Sequence, residues 1–189
     1  MEGAINMAIA KAQNVYRNYK QGDDGEAVAT IWLQKNGWLV INKSKDPDYR
    51  KRDIDLLCFR SLDGKFPEYA TVECKKDDRG FYTANLVLET VSNTTKGTPG
   101  WTMYTEAQYI SILQNTLLHI LPGPRTVEWF KDNYSRFIEI TFPTVFKDGE
   151  NVRYYAKARL VPRHIFDLEV GIIETIDLVA EGIIPAKAA

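Results

Sequence analysis

The stretch from Asp53 to Asp77 constrains this chain more than any other. It reads Asp-Ile-Asp-Leu-Leu-Cys-Phe, then a turn, then Ala-Thr-Val-Glu-Cys-Lys-Lys-Asp. Both runs are short and alternate in polarity, and the segment between them, Ser61 to Pro67, carries Asp-Gly and Pro. The pattern predicts two neighbouring strands joined as a hairpin. Because side chains alternate across a strand, Asp55 shares a face with Leu57 and Phe59, and Glu73 shares a face with Lys75. Two carboxylates and an ammonium can therefore converge. Charges gathered in a partly buried place are costly unless paired or metal-bound. A carboxylate set without supporting His or Cys suits a hard divalent cation such as Mg2+, with Mn2+ as a substitute. Lys75, about 7 Å along the strand from Glu73 by the strand rise, faces the same pocket and could orient a water or offset charge on a phosphate. The same alternation of Thr71, Glu73 and Lys75 with Ala70, Val72 and Cys74 is also what any half-exposed antiparallel strand shows.

Upstream, Ile5, Ala8, Ile9, Ala12, Val15, Tyr16 and Tyr19 recur at helical spacing and predict an amphipathic helix within residues 1–21. Gly22-Asp-Asp-Gly25 interrupts it. Asp24 then reads as the N-cap of a second helix that carries Val28, Ile31 and Trp32 and stops at Asn36-Gly37. Glu26 falls in its first turn, where the helix dipole alone favours an acid. Trp38 to Ile41 predicts a strand leading into Asn42 to Arg52, the densest basic cluster of the chain, with Lys43, Lys45, Arg50, Lys51 and Arg52 partly cancelled by Asp46 and Asp48. A charge run of this kind is usually a solvated loop. Beside a phosphate-cleaving site, these residues together with Lys76 and Arg79 become DNA contacts, since Lys and Arg on phosphates dominate DNA affinity.

The ordered set Glu26, Asp55, Glu73-Cys-Lys75 resembles the PD-(D/E)XK nuclease superfamily over residues 22–121. There a helix acid precedes an Asp at the head of one strand and a Glu-x-Lys on the next. The resemblance implies an α/β fold with a central mixed, largely antiparallel sheet flanked by helices, a restriction-endonuclease-like core. It implies Mg2+-dependent hydrolysis of phosphodiester bonds in DNA: Asp55, Glu73 and the backbone carbonyl of Cys74 hold the metal, Lys75 acts on the water or phosphate, and Glu26 supports the metal. Asp53 has the strand parity of Asp55, but the Leu-Leu run after Asp55 makes the latter the closer match. Glu89, Ser92 and Thr105-Glu-Ala107 approximate a phage-type subgroup, although Gln108 stands where those relatives carry an acid.

Downstream, the pattern predicts strands at 85–91, 109–113 and 116–121, the last closed by Pro122-Gly-Pro124. It then predicts a helix over 126–134, a hairpin of 136–146 and 151–161 about Lys147-Asp-Gly-Glu150, and a helix opened by Pro162. The tail from Gly171 has a mixed pattern, compatible with more than one state. Phe81, Tyr82, Trp101 and Tyr104 fall in or beside loops, where aromatics either stack on bases or fold over the core. At 189 residues with 44% hydrophobic content the chain has the size of one domain. A net charge of −1 argues against a general nucleic-acid coat. Cys58 and Cys74 read as buried free thiols of a cytoplasmic, reduced protein, and His119 and His164 show no zinc spacing. A homodimer through the first helix would suit paired cuts in a duplex. Two rivals remain: an inactive nucleic-acid-binding module of the same fold, and a nucleotide phosphohydrolase, which would need more helix-borne acids than this chain offers.

Overall fold

The computed structural model describes residues 24–61, 67–77, 80–145 and 152–185. The amphipathic helix expected in residues 1–21, Arg79 and the tips of both hairpin turns lie outside them. Among the described residues ten strands form two sheets where one central sheet was expected. The first is six-stranded, in the order β1 (Leu39–Asn42), β2 (Leu56–Ser61), β3 (Pro67–Lys76), β6 (Tyr109–Gln114), β7 (Leu117–Pro122), β10 (Glu174–Asp177). It is mixed and largely antiparallel, because only β3 and β6 run parallel. The second is an antiparallel four-stranded sheet in the order β5 (Thr98–Pro99), β4 (Asn85–Asn93), β9 (Val152–Pro162), β8 (Ile138–Val145). The strand expected at 85–91 and the expected C-terminal hairpin thus belong together, away from the first sheet. The tail supplies β10.

Local chemistry sets the boundaries. Helix α1 (Asp24–Lys35) already includes Asp24, so that residue lies inside the helix instead of capping it. The helix ends where Gly37, at φ 81°, and Trp38 donate back to the carbonyls of Gln34 and Leu33 (3.1 and 3.0 Å). This is a Schellman closure, which only a left-handed residue permits and which glycine adopts at no steric cost. The basic segment is not an open loop. Pro47–Arg50 forms a single helical turn, α2, capped by Asp46, whose carboxylate accepts the Asp48 N–H at 3.1 Å. Another helical turn, α3 (Gly80–Thr83), precedes β4, and Asn115 at φ 55° makes the tight β6–β7 turn. Pro122-Gly-Pro124 ends β7 as expected, but α4 (Gly123–Asn133) begins immediately, three residues earlier than the sequence pattern suggests. Helix α5 (Arg163–Glu169) follows Pro162.

The six-stranded sheet is covered on both faces. Val28 of α1 packs with Leu113, Leu118, Ile120 and Ile176, and Ala29 and Leu33 pack with Leu56, Cys58, Val72 and Cys74. On the opposite face, Ile110, Ile112 and Leu121 meet Trp101, Phe130, Phe166 and the four-stranded sheet's Leu86, Leu88 and Val161. Among the described residues no helix is long and apolar enough to cross a membrane.

His119 is buried between these layers as a structural residue. Arg163 donates to its Nε2 (3.2 Å), so the ring proton sits on Nδ1, which is 2.9 Å from Thr175 Oγ1. Burial first, and the Arg163 charge second, push its pKa down to about 4 from 6.5. The unfolded chain therefore takes this proton before the folded one does, and stability from neutral His119 is present above about pH 6.5 and lost as pH falls toward 4. Thermal unfolding of wild type and His119→Gln across this window should show their stability difference shifting against the wild type as pH falls. A pH-independent difference would contradict the assignment.

Candidate active site

Strand β3 changes neighbours halfway along. Its first part pairs with β2 as far as Leu56 opposite Val72, and its last part pairs with β6 from Val72 to Lys76. On the β2 side the ladder runs out after the Asp55 N–H donates to the Val72 carbonyl at 3.0 Å. The Asp55 carboxylate then substitutes for backbone: its Oδ2 accepts the Cys74 N–H at 2.9 Å. Extending the β2–β3 register puts Asp55 opposite Glu73, on the face expected for both. Successive peptide groups along a strand point to alternate sides. The Cys74 carbonyl therefore points toward Asp55 with its N–H, while the Glu73 carbonyl points to β6 and accepts Ser111 Oγ at 3.4 Å.

Glu73 is only 1% exposed. One of its oxygens, Oε1, is in contact with Lys75 Nζ, and the other, Oε2, is buried with no hydrogen-bond partner among the described residues. Lys75, with its side chain 30% exposed, also lies 4.0 Å from Asp53 Oδ2, itself buried and without a hydrogen bond among the described residues. Beneath the ammonium, 5.7 Å from the ring centroid, is Trp101, within cation–π range. Burial pushes the Glu73 carboxyl well above the usual range, Lys75 opposes this, and Asp53 and Asp55 add to it. Burial also raises Asp53 and Glu89, again with Lys75 as the main opposing charge. Burial pulls Lys75 itself down, but Glu73, Asp53 and Asp55 outweigh it, so its pKa lies above the ordinary lysine value. Lys75 is thus a fixed cation and donor. It is unsuited to taking a proton.

Glu26 approaches from the other face. Gly25 lies against the Lys75 backbone, where an added Cβ would sit 3.3 Å from the Lys75 carbonyl oxygen, and this close approach brings the first turn of α1 to the end of β3. The Glu26 carboxylate accepts from the Asn42 amide at 2.7 Å, and the next residue, Lys43, donates its N–H to the Asp55 carbonyl at 2.6 Å. The Cys74 thiol, raised by burial first, also feels Asp55, Glu73 and Glu26. Both cysteines are free and buried, as expected. Gln108 is structural: its side chain accepts the Thr71 N–H at 3.0 Å while its own N–H donates to Thr71 Oγ1 at 2.9 Å.

The basic cluster is more neutral than its composition suggests. Lys43 pairs with Asp46 (2.9 Å), Lys51 with Asp48 (3.5 Å) and Arg52 with Glu106 (2.6 Å). Lys45 and Arg50 are exposed and form no ion pair among the described residues. Lys76, on the opposite strand parity to Lys75, is half-buried at the end of β3.

Three neighbours of Lys75 fall outside the expected set of Glu26, Asp55, Glu73 and Lys75. Asp53 is not in a strand; at φ 53° it occupies a left-handed turn, so strand parity could not place it. Glu89 comes from the second sheet, and the Tyr104 hydroxyl lies beside Asp53. Among the described residues no three His, Cys, Asp or Glu side chains are grouped closely enough to enclose an ion, so a cation here would rest on two carboxylates and water, the usual manner of Mg2+. The chain matches no family model, no curated protein and no solved structure.

Gly100 fixes Glu89. An added Cβ would collide with the Glu89 carbonyl and stand 2.9 Å from its Cγ. Gly100→Ala should therefore destabilise the fold by about 1–3 kcal/mol, the cost of overpacking, measurable as a lowered denaturant midpoint. An unchanged midpoint would show that the contact relaxes freely.

Proposed function

We propose that the chain is a divalent-cation-dependent nuclease that hydrolyses phosphodiester bonds in DNA on a restriction-endonuclease-like core. One observation carries the proposal: a fully buried Glu73 has one oxygen on Lys75 and the other without a hydrogen-bond partner among the described residues, across the strand pair from Asp55. A buried, unpaired carboxylate oxygen is costly, and a cation beside it removes the cost. The chain order supports the resemblance: α1 with Glu26, then β1, then β2 headed by Asp55, then β3 with Glu73-Cys-Lys75, then a parallel β6.

Asp55 and Glu73 would hold the cation, with the Cys74 carbonyl aimed at the same point and Glu26 behind it. When bound, a divalent ion lowers the pKa of water and polarises a phosphate. The chain's own residues supply the rest. Lys75 keeps its proton, donates to Glu73 Oε1, and has further N–H groups for a non-bridging phosphate oxygen or the attacking water. Its fixed charge is worth most as negative charge grows in the transition state. The Cys74 N–H holds the Asp55 carboxylate in place, so this ligand is preorganised by the sheet. DNA as the polymer is supported by exposed Lys45 and Arg50 on the segment leading directly into Asp53 and Asp55.

An inactive nucleic-acid-binding module is the alternative, and different variants separate the two. Asp55→Ala should abolish cleavage and weaken Mg2+ binding together. Lys75→Ala should lower turnover by about 10²-fold or more with DNA binding little changed. Wild type that cuts no linear, nicked or branched DNA or RNA with Mg2+ or Mn2+ would leave the binding module as the better account.

The ion pairs refine the DNA-contact set. Replacing Lys45 and Arg50 together by Ala should flatten the salt dependence of duplex binding by about two counterions. Replacing Lys43, Lys51 and Arg52 should flatten it less, since those charges are already met by acids. Equal slopes for both triple and double variants would refute this ranking.

A further inference from the structure

The sheet face that carries Glu73 and Lys75 is covered over only part of its width. The four-stranded sheet and α4 lie over β6 and β7, whereas over β1, β2 and the start of β3 the described residues place only Tyr49, Ile54 and Ala107, packed on Leu57 and Phe59. Beyond these runs an apolar row across three strands. Leu39 is opposite Phe59 and Phe59 opposite Tyr69, and the two rings meet at 5.4 Å between centroids. Leu39 is 65% and Tyr69 48% exposed, and Ile41 beside them is exposed as well. Single exposed apolar side chains need no explanation, but a contiguous group of them marks a binding surface.

This row is continuous with the candidate site. On the same face the next rank is Ile41, Leu57 and Thr71, and the one after it is Asp55 and Glu73, so Tyr69 stands about 13 Å along β3 from Glu73 by the strand rise. Cations rim the interval. Lys43 lies over the Tyr49 ring, 5.0 Å from its centroid, and Arg52 is within electrostatic reach of both Tyr49 and Tyr69. Exposed Lys45 and Arg50, on the same segment, form no ion pair among the described residues. Rings interleaved with Lys and Arg suit a single strand, because the cations track its phosphates while the rings stack on its bases. A duplex keeps its base faces stacked inside and would instead press phosphates against Leu39 and Ile41, which offer them no hydrogen bond.

We infer that the DNA reaches the site as a single strand, with an unpaired base stacked on Tyr69 and Phe59 and seated against Leu39. The inference rests on reading the site as a nuclease and names its substrate class: DNA with an unpaired segment, such as a free end or a flap. Tyr69 is the anchor. Phe59 holds its ring in place before a base arrives, so little side-chain freedom is lost on stacking.

The test measures binding of three fluorescein-labelled probes to the full chain by anisotropy in EDTA: an oligothymidylate, an abasic strand with the same phosphates, and a blunt hairpin duplex. Wild type should bind the oligothymidylate most tightly. Tyr69→Ala should weaken that binding about tenfold, the scale of one base on one ring, and leave the abasic strand unchanged, while Tyr69→Trp restores it. Leu39→Ser, at a still more exposed position, should act in the same direction. Equal wild-type binding of abasic strand and oligothymidylate, or a Tyr69→Ala loss shared by all three probes, would overturn the inference. A dimer that dissociates on Tyr69→Ala in sedimentation, without any discrimination among probes, would give the row to a second copy and overturn it too. Cleavage with Mg2+ is read separately. Base-dependent, Tyr69-dependent binding without cleavage would keep the row and remove the nuclease. Cleavage of the blunt duplex as fast by Tyr69→Ala as by wild type, with no preference for unpaired strand, would keep the nuclease and remove the row.

Discussion

Glu73 is the residue on which this structure turns. A carboxylate this deeply buried loses its hydration, and the cost is several kcal/mol unless another charge or a set of donors replaces the water. Lys75 replaces part of it through Oε1, and Trp101 in turn offers its ring face to Lys75. The second sheet exists in the right place for this because β4 packs Leu86 and Leu88 onto the core and delivers Glu89 alongside. Gly100 and Gly25 are small where they must be: one lets the Trp101 turn close on β4, the other lets α1 approach the end of β3. A stable core with no chemical task would gain by replacing such a charge group with apolar side chains of similar volume.

Much of this arrangement was legible in the sequence, and what was missed has physical reasons. Period-two alternation located the β2–β3 pair and put Asp55 and Glu73 on one face, because that face is buried and a one-residue slip would invert every side chain. Asn36-Gly37 announced the end of α1 through the glycine that a Schellman closure needs. Asp53 was set aside because the Leu-Leu run favoured Asp55, and the parity it was credited with holds only for extended backbone, which its φ of 53° leaves. Division into two sheets could not be read from alternation, which identifies a strand and a buried face but not a partner. Asn85 lies opposite Pro162 in the β4–β9 pair, and nothing local to either residue encodes that meeting. The basic segment misled through composition alone: charge counts do not show that Asp46, Asp48 and Glu106 already pair with three of its five cations.

Topology and chemistry are linked by the point where β3 exchanges β2 for β6. Beyond Val72, β3 keeps a strand partner on the β6 side, and on the β2 side the Cys74 N–H is met by the Asp55 carboxylate instead of a ladder carbonyl. Acids from α1, from the turn before β2, from β3 and from β4 then arrive from four separate elements. A site assembled in this way is held by the whole fold and is rigid where an exposed acidic loop would not be.

Diffraction from crystals grown with Mn2+, collected at the manganese absorption edge, tests the central claim most directly. A cation site at the end of β3 gives an anomalous peak within coordination distance of the Asp55 and Glu73 carboxylates, with Lys75 still beside Glu73. Crystals containing Mn2+ with no peak at the end of β3, or with the metal bound only to surface acids, would contradict it.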